Sequence, residues 1–370
     1  MNKKYSRLTR ILTTGIAVCL LAGTMCCEAS AASGNSARAQ KILKTMTWKE
    51  KIAQMFVVAV PAKDAVKIQE KYQFGGYIFF ENDFSNSTPK ETKAQIKKIQ
   101  KVSRVKMLMA VDEEGGKVNR VSKFSAYRSK PFESPQAIYK KKGWSGIRKD
   151  TAEKAKLLKK LGINANFAPV ADTPYRSSDF IYKRSFSTNA DSVSKYIKTV
   201  VTEMKKNNLV STLKHFPGYG GNGDTHSLII TDRRSKKTFT GRDLKPFSAG
   251  IKAGCDMIMV SHNIVNCFDK NAPASLSKKV HKYLRNQMNF DGVIITDELS
   301  MTGAAAFAGG SSKAAVKAIQ AGNDMICTTQ YKDSFDAVYK AFKQGKISKS
   351  QINESVKRIL IMKLDRGIIK

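Results

Sequence analysis

Eight short apolar runs alternating with amphipathic stretches predict an α/β fold, a single-domain (β/α)8 barrel of the TIM type. Two further observations support closure. The residues able to do chemistry stand at the C-terminal ends of five of those runs, the face on which barrel enzymes assemble their sites. The chain is also long, 370 residues, which suits eight closed units better than the competing doubly wound open sheet.

The elements follow in order. Lys3, Lys4, Arg7 and Arg10 precede an apolar run from Ile11 to about Cys27, and Ala29-Ser30-Ala31 offers small residues for cleavage, so residues 1–31 read as a signal peptide and 36–370 as the barrel domain. A lipid on Cys19, Cys26 or Cys27 is an alternative, poorly served by Gly-Thr-Met before Cys26, and the run is short for a retained membrane anchor. The eight runs are 55–60, 76–80, 107–111, 163–169, 210–214, 257–260, 292–296 and 324–327, most rich in Val, Ile, Phe or Met, as expected of parallel strands buried on both faces. Between them, Ala152, Ala155, Leu158 and Leu161 mark one helical face that Gly162 should end. Val193, Tyr196, Ile197, Val200, Val201 and Met204 mark another. Phe335, Val338, Tyr339 and Phe342, then Ile352, Val356, Ile359 and Leu360, predict two closing helices.

The fifth run leads into KHFPGYGGNGDTH, residues 214–226, which holds two of the four histidines. Pro217 should stop the strand, and glycines at 218, 220, 221 and 223 predict a loop that brings Asp224 and His226 to a pocket. An Asp two residues before a His reaches the ring only in a turn, where it fixes the tautomer and favours the imidazolium, which is acid/base equipment. The competing expectation is a surface turn in which Asp224 caps a helix and His226 is merely exposed. The other strand ends supply Asp112-Glu113-Glu114-Gly115-Gly116, Asp172, Ser261-His262 and Asp297-Glu298. Asp172 and His262 serve equally well as structural caps. Glu298 should point away from Asp297 by alternation along the strand and takes no catalytic role.

Composition narrows the partners. The net charge is +35, and removal of residues 1–31, with four basic residues and Glu28, lowers it by three to +32. The lysines are scattered at helical spacing, as at Lys154, Lys156, Lys159 and Lys160, with no clustered arm or RNA-binding motif, so nucleic acid is not expected. An exported protein so charged meets anionic wall polymers, with plain solubility as the alternative meaning of the charge. Outside the leader only Cys255, Cys267 and Cys327 remain, too few and too widely spaced for a disulfide framework or a zinc site, and no nucleotide motif is present. No metal or cofactor is expected.

Several longer motifs carry a resemblance. TWKEKIAQMF from Thr47, VDEEGGKVNR at 111–120, NFAPVAD at 166–172, KRSF at 183–186, KHFPGYG at 214–220, DTH at 224–226, ITDELSM at 295–301 and NESVKRIL at 353–360 resemble glycoside hydrolase family 3, in its single-domain β-N-acetylhexosaminidase branch. The resemblance implies Asp297 as nucleophile and His226, assisted by Asp224, as acid/base. It implies that Asp112, Lys214 and His215 hold sugar hydroxyls, and that Arg184 binds hydroxyls or a neighbouring acidic group. The expected activity is a retaining exo-β-N-acetylglucosaminidase on a carbohydrate substrate such as peptidoglycan fragments, secreted or extracytoplasmic, with the membrane met only through an anchor. A phosphorylase of the same fold and a non-catalytic wall or sugar-binding protein are the alternatives. A β-glucosidase is less expected, because in the family its acid usually comes from a further C-terminal domain and this chain ends at Lys370. Departures from the family pattern are Tyr219 in place of a second histidine, Thr225 in place of serine, Lys117 in place of arginine, and Ile181-Tyr182-Lys183 before Arg184.

Overall fold

The computed structural model describes residues 34–370. The signal-peptide expectation for residues 1–31 lies outside the described residues. Eight parallel strands close into the predicted barrel: β1 Phe56–Ala59, β2 Gly76–Phe79, β3 Leu108–Val111, β4 Ala165–Asn166, β5 Val210–Phe216, β6 Met257–Val260, β7 Val293–Glu298 and β8 Met325–Thr328. They neighbour one another in chain order, and β8 pairs with β1 to close the ring. Strands β2, β3, β6 and β8 are buried at every position, which is why their sequences read as nearly continuous apolar runs with no alternation, and β5 is buried throughout while carrying Ser211, Thr212, Lys214 and His215.

Each strand is followed by at least one helix on the outside. Local chemistry sets many of the starts: Thr47 with Glu50 and Thr88 with Glu91 form reciprocal capping boxes, the second followed by Pro89. The helix Pro135–Leu161 starts at the Ser134 cap and ends at Gly162, whose φ of 94° suits glycine. Its first part precedes the predicted helical face. A break at Gly143 separates that part from the predicted helical face, and the break explains why no single apolar stripe spans both. Among the described residues no helix is long and apolar enough to cross a membrane.

One strand differs from expectation in a way that matters for the site. The run 163–169 gives only a two-residue strand, Ala165–Asn166, because Pro169 has no N–H to donate. The chain continues beside β5 through irregular bonds, Thr212 N–H to Ala168 O at 2.9 Å and Ala171 N–H to Lys214 O at 2.6 Å. This irregular rail carries Asp172 alongside Lys214 and His215. At the opposite strand, β7 runs two residues past the predicted end and so includes Asp297 and Glu298. A short parallel ladder, Thr231–Asp232 with Ile264–Val265, lies outside the barrel sheet.

Candidate active site

The ends of the strands surround a pocket of about 570 Å3, within the usual size range of small-molecule sites. All seven residues singled out from the sequence line it: Asp112, Arg184, Lys214, His215, Asp224, His226 and Asp297. Strand alternation sorts the Asp112-Glu113-Glu114 triplet. Asp112 and Glu114 face the pocket, whereas Glu113 turns away and accepts the amides of Arg120 and Val121, each at 2.8 Å, which folds the following loop.

A chain of charged hydrogen bonds lines the inner wall. Lys214 Nζ lies 2.5 Å from Asp112 Oδ1 and 2.7 Å from Glu114 Oε1. Arg184 donates to both oxygens of Glu114, at 3.0 and 2.7 Å. Burial alone would raise the Glu114 carboxyl, but Arg184 and Lys214 outweigh it and hold the group well below the ordinary glutamate range. Burial likewise favours neutral Lys214, and Asp112 and Glu114 reverse that, keeping the ammonium charged. The acidic neighbour of Arg184 is Glu114, a residue to which the sequence reading gave no role.

His215 is fixed at both ring nitrogens. Arg184 Nη2, which can only donate, lies 3.3 Å from its Nε2, so the ring proton sits on Nδ1 and is donated to Asp172 Oδ2 at 2.7 Å. Asp172 also accepts the backbone amides of His215 and Tyr219. It is fully buried and acts through His215. His262 donates from Nε2 to the Glu298 carbonyl oxygen at 2.9 Å and meets Ser275 Oγ at 2.7 Å with Nδ1. Burial pushes its pKa down, against the opposing pull of Asp297 and the Glu298 carbonyl.

Asp297 is the carboxylate the protein leaves open. Among the described residues it accepts one hydrogen bond, from the Glu298 amide at 2.9 Å. Burial pushes its pKa up, but the rings of His215 and His262, the Glu298 amide and the Lys214 ammonium together pull it below the ordinary aspartate value. Glu298 also borders the pocket, yet its oxygens are taken by Thr329 N–H at 2.8 Å on one side and Ser300 N–H at 2.8 Å on the other. A carboxylate so occupied is a loop clamp.

The glycine-rich loop forms the outer wall. His226 Nδ1 and the His226 amide both meet Asp224 Oδ1, at 2.5 and 2.9 Å, in the turn that an Asp-x-His spacing requires. No helix is capped there. The two side chains remain exposed, 60% for His226 and 37% for Asp224, while Thr225 between them is fully buried. Thr225 Oγ1 lies 2.7 Å from the Tyr219 hydroxyl, and its carbonyl accepts the Gly303 amide, so the loop is pinned at its centre and presents its flanking residues outward. Arg234 braces the near end by donating to the carbonyl oxygen of Gly218 while paired to Asp232 and Asp243. Gly220, at φ 57°, is held against the Arg234 guanidinium, where a Cβ would lie 2.1 Å from Nη1.

Among the described residues no group of His, Cys, Asp and Glu is arranged to hold a metal ion. The three described cysteines, Cys255, Cys267 and Cys327, are free.

A closed (β/α)8 barrel with one open carboxylate, a histidine–aspartate pair and a polar wall fit for hydroxyl groups defines a glycoside hydrolase. The family model for the glycosyl hydrolase family 3 N terminal domain matches residues 47–362, and the chain belongs to that family. It is 34% identical over 265 residues to a β-hexosaminidase of Methylococcus capsulatus, covering 69% of this chain and 76% of that protein. It is 28% identical over 326 residues to the β-hexosaminidase LpqI of Mycobacterium tuberculosis, covering 85% and 82%. The solved structure of a family 3 β-N-acetylglucosaminidase from Paenibacillus sp. superposes with a TM-score of 0.81 at 28% identity. That match covers 88% of this chain, which spans 63% of the other.

Proposed function

We propose that the protein is an exported, retaining exo-β-N-acetylglucosaminidase that releases terminal β-linked N-acetylglucosamine from peptidoglycan fragments or related glycans. The observation that carries the reading is the division of labour in one pocket: a half-buried carboxylate held below the ordinary aspartate range, Asp297, and an exposed imidazole already paired to a carboxylate, His226 with Asp224. In the first step an Asp297 oxygen attacks the anomeric carbon as the glycosidic C–O bond breaks, and His226 Nε2–H gives its proton to the leaving oxygen. Asp224 holds Nδ1–H and stabilises the charged ring before that transfer. In the second step His226 Nε2 takes a proton from water, which attacks the anomeric carbon and frees Asp297, so two displacements retain the configuration. Asp112, Lys214, His215 and Arg184 grip the sugar hydroxyls through charged or oriented hydrogen bonds. Both curated relatives described above carry the name β-hexosaminidase, which supports the choice of sugar.

Export rests on the leader at residues 1–31, and the basic surface suits anionic wall polymers as a second partner. The test is release of p-nitrophenol from its β-N-acetylglucosaminide, with the β-glucoside as comparator and phosphate omitted or added. Turnover without phosphate that disappears in Asp297→Asn supports the hydrolase. Strict dependence on phosphate makes the protein a phosphorylase, and silence on every sugar makes it a binding protein.

A further inference from the structure

Five large apolar side chains are exposed among the described residues, Tyr139, Tyr175, Phe180, Leu228 and Ile229, and of these Phe180 alone lines the catalytic pocket. Exposure by itself says little, since single apolar residues are common on surfaces. Its setting says more. The preceding turn is built around Asp179, whose buried carboxylate accepts the amides of Tyr175 at 2.7 Å and Arg176 at 2.8 Å. The next residue, Ile181, is fully buried, and the Arg184 amide bonds back to its carbonyl. Phe180 is therefore held in place by its neighbours while its own ring is left 39% exposed.

The ring also has a defined side. It packs on Tyr219 with centroids 5.8 Å apart, and the Tyr219 hydroxyl bonds Thr225, the residue next to His226. Four residues further on, Arg184 turns to Glu114 on the inner wall. One short segment thus serves both walls, with Arg184 among the polar groups and Phe180 beside the loop that carries the proton donor. The group that receives that proton departs on this side.

We propose that Phe180 is the stacking platform of an aglycone subsite that takes a pyranose, the second sugar of the substrate. A pyranose presents an apolar face of C–H groups, and the negative face of a fixed aromatic ring complements it at little entropic cost. The inference rests on the glycosidase reading above and names the residue that holds the leaving sugar.

The full-chain protein is assayed on two substrates, the β-1,4-linked disaccharide of N-acetylglucosamine and β-N-acetylglucosaminyl fluoride, whose leaving ion fills no sugar subsite. In Phe180→Ala and in Phe180→Leu, kcat/KM on the disaccharide should fall about tenfold further than on the fluoride, the size of one ring contact, and Phe180→Trp should restore it. Equal losses on both substrates, or no loss on either, overturn the platform, as does a wild-type protein that hydrolyses the fluoride and leaves the disaccharide intact. Inactivity of the wild type on both substrates is a different failure, that of the glycosidase reading itself.

Discussion

The two ends of the barrel use the same residue types for opposite purposes. At the floor, where the strands begin, charges are closed on one another. Asp324 is paired to Arg285 and, at 3.1 Å, to Arg358, and it accepts the Ile294 amide at 2.8 Å. Asp256 pairs with Arg366 at 2.7 Å and accepts the amide and hydroxyl of Ser211. Lys363 from the last helix donates to Gln54 Oε1 at 2.8 Å and Gly75 O at 2.9 Å. At the mouth, Glu114 and Asp172 are tied just as tightly, but Asp297 and the Asp224–His226 pair are left with capacity to spare. Closed charges hold a fold together, and open ones are available to a substrate.

Substitution at each end should separate these roles. The largest effect is expected for Asp297→Asn, which should lower kcat by about 10⁴-fold or more with the melting temperature nearly unchanged. A comparable loss of stability would mean that Asp297 belongs with the floor carboxylates. His226→Ala should lose about 10²–10⁴-fold on sugar leaving groups and much less on an aryl glycoside, which needs less protonation. Equal losses on the two substrates would remove His226 from the role of acid.

The reverse pattern is expected at the floor. Asp324→Asn leaves two arginines facing a neutral side chain and should destabilise the fold by about 3–5 kcal/mol in chemical denaturation, while kcat/KM of the folded fraction stays near wild type. The smallest effect concerns pH. Burial lowers the Lys363 pKa to about 7, below the value it recovers on unfolding. Between those two values the unfolded chain binds the extra proton, so stability should rise as pH increases above 7 and stay flat below it as far as this group is concerned. Lys363→Met should flatten that rise, and denaturation curves at pH 7 and pH 9 for both proteins measure it. The Asp297 pKa is lowered too, which keeps the carboxylate ionised as the pH falls through the ordinary aspartate range, so the acid limb of activity should not arise from it at mildly acidic pH.

Much of this was legible in the chain. Buried parallel strands are continuous apolar runs, so each of the eight runs contains the observed strand or most of it. A polar residue that ends such a run must lie at the barrel rim, which is how Asp112, Lys214 and Asp297 were found. Asp224 and His226 were legible because two positions of separation reach only through a turn. Glu114 was half visible: alternation places it on the same side as Asp112, but its two cationic partners come from residues 70 and 100 positions away. Phe180 gave no signal, since an aromatic residue in a polar loop reads the same whether it is buried or facing a pocket.

The sequence alone therefore determined the repeating strand-and-helix order, the face of the barrel that bears chemistry, and the local Asp-x-His turn, because each depends on period, run length or neighbouring residues. The tertiary structure decided which charges are closed and which are open. That distinction depends on which partners meet in space: His215 fixed between Arg184 and Asp172, Glu114 held by Arg184 and Lys214, and Asp297 left, among the described residues, with a single backbone donor. Hydrogen bonds of this kind are set by distance and direction in space, and strand period carries no record of them.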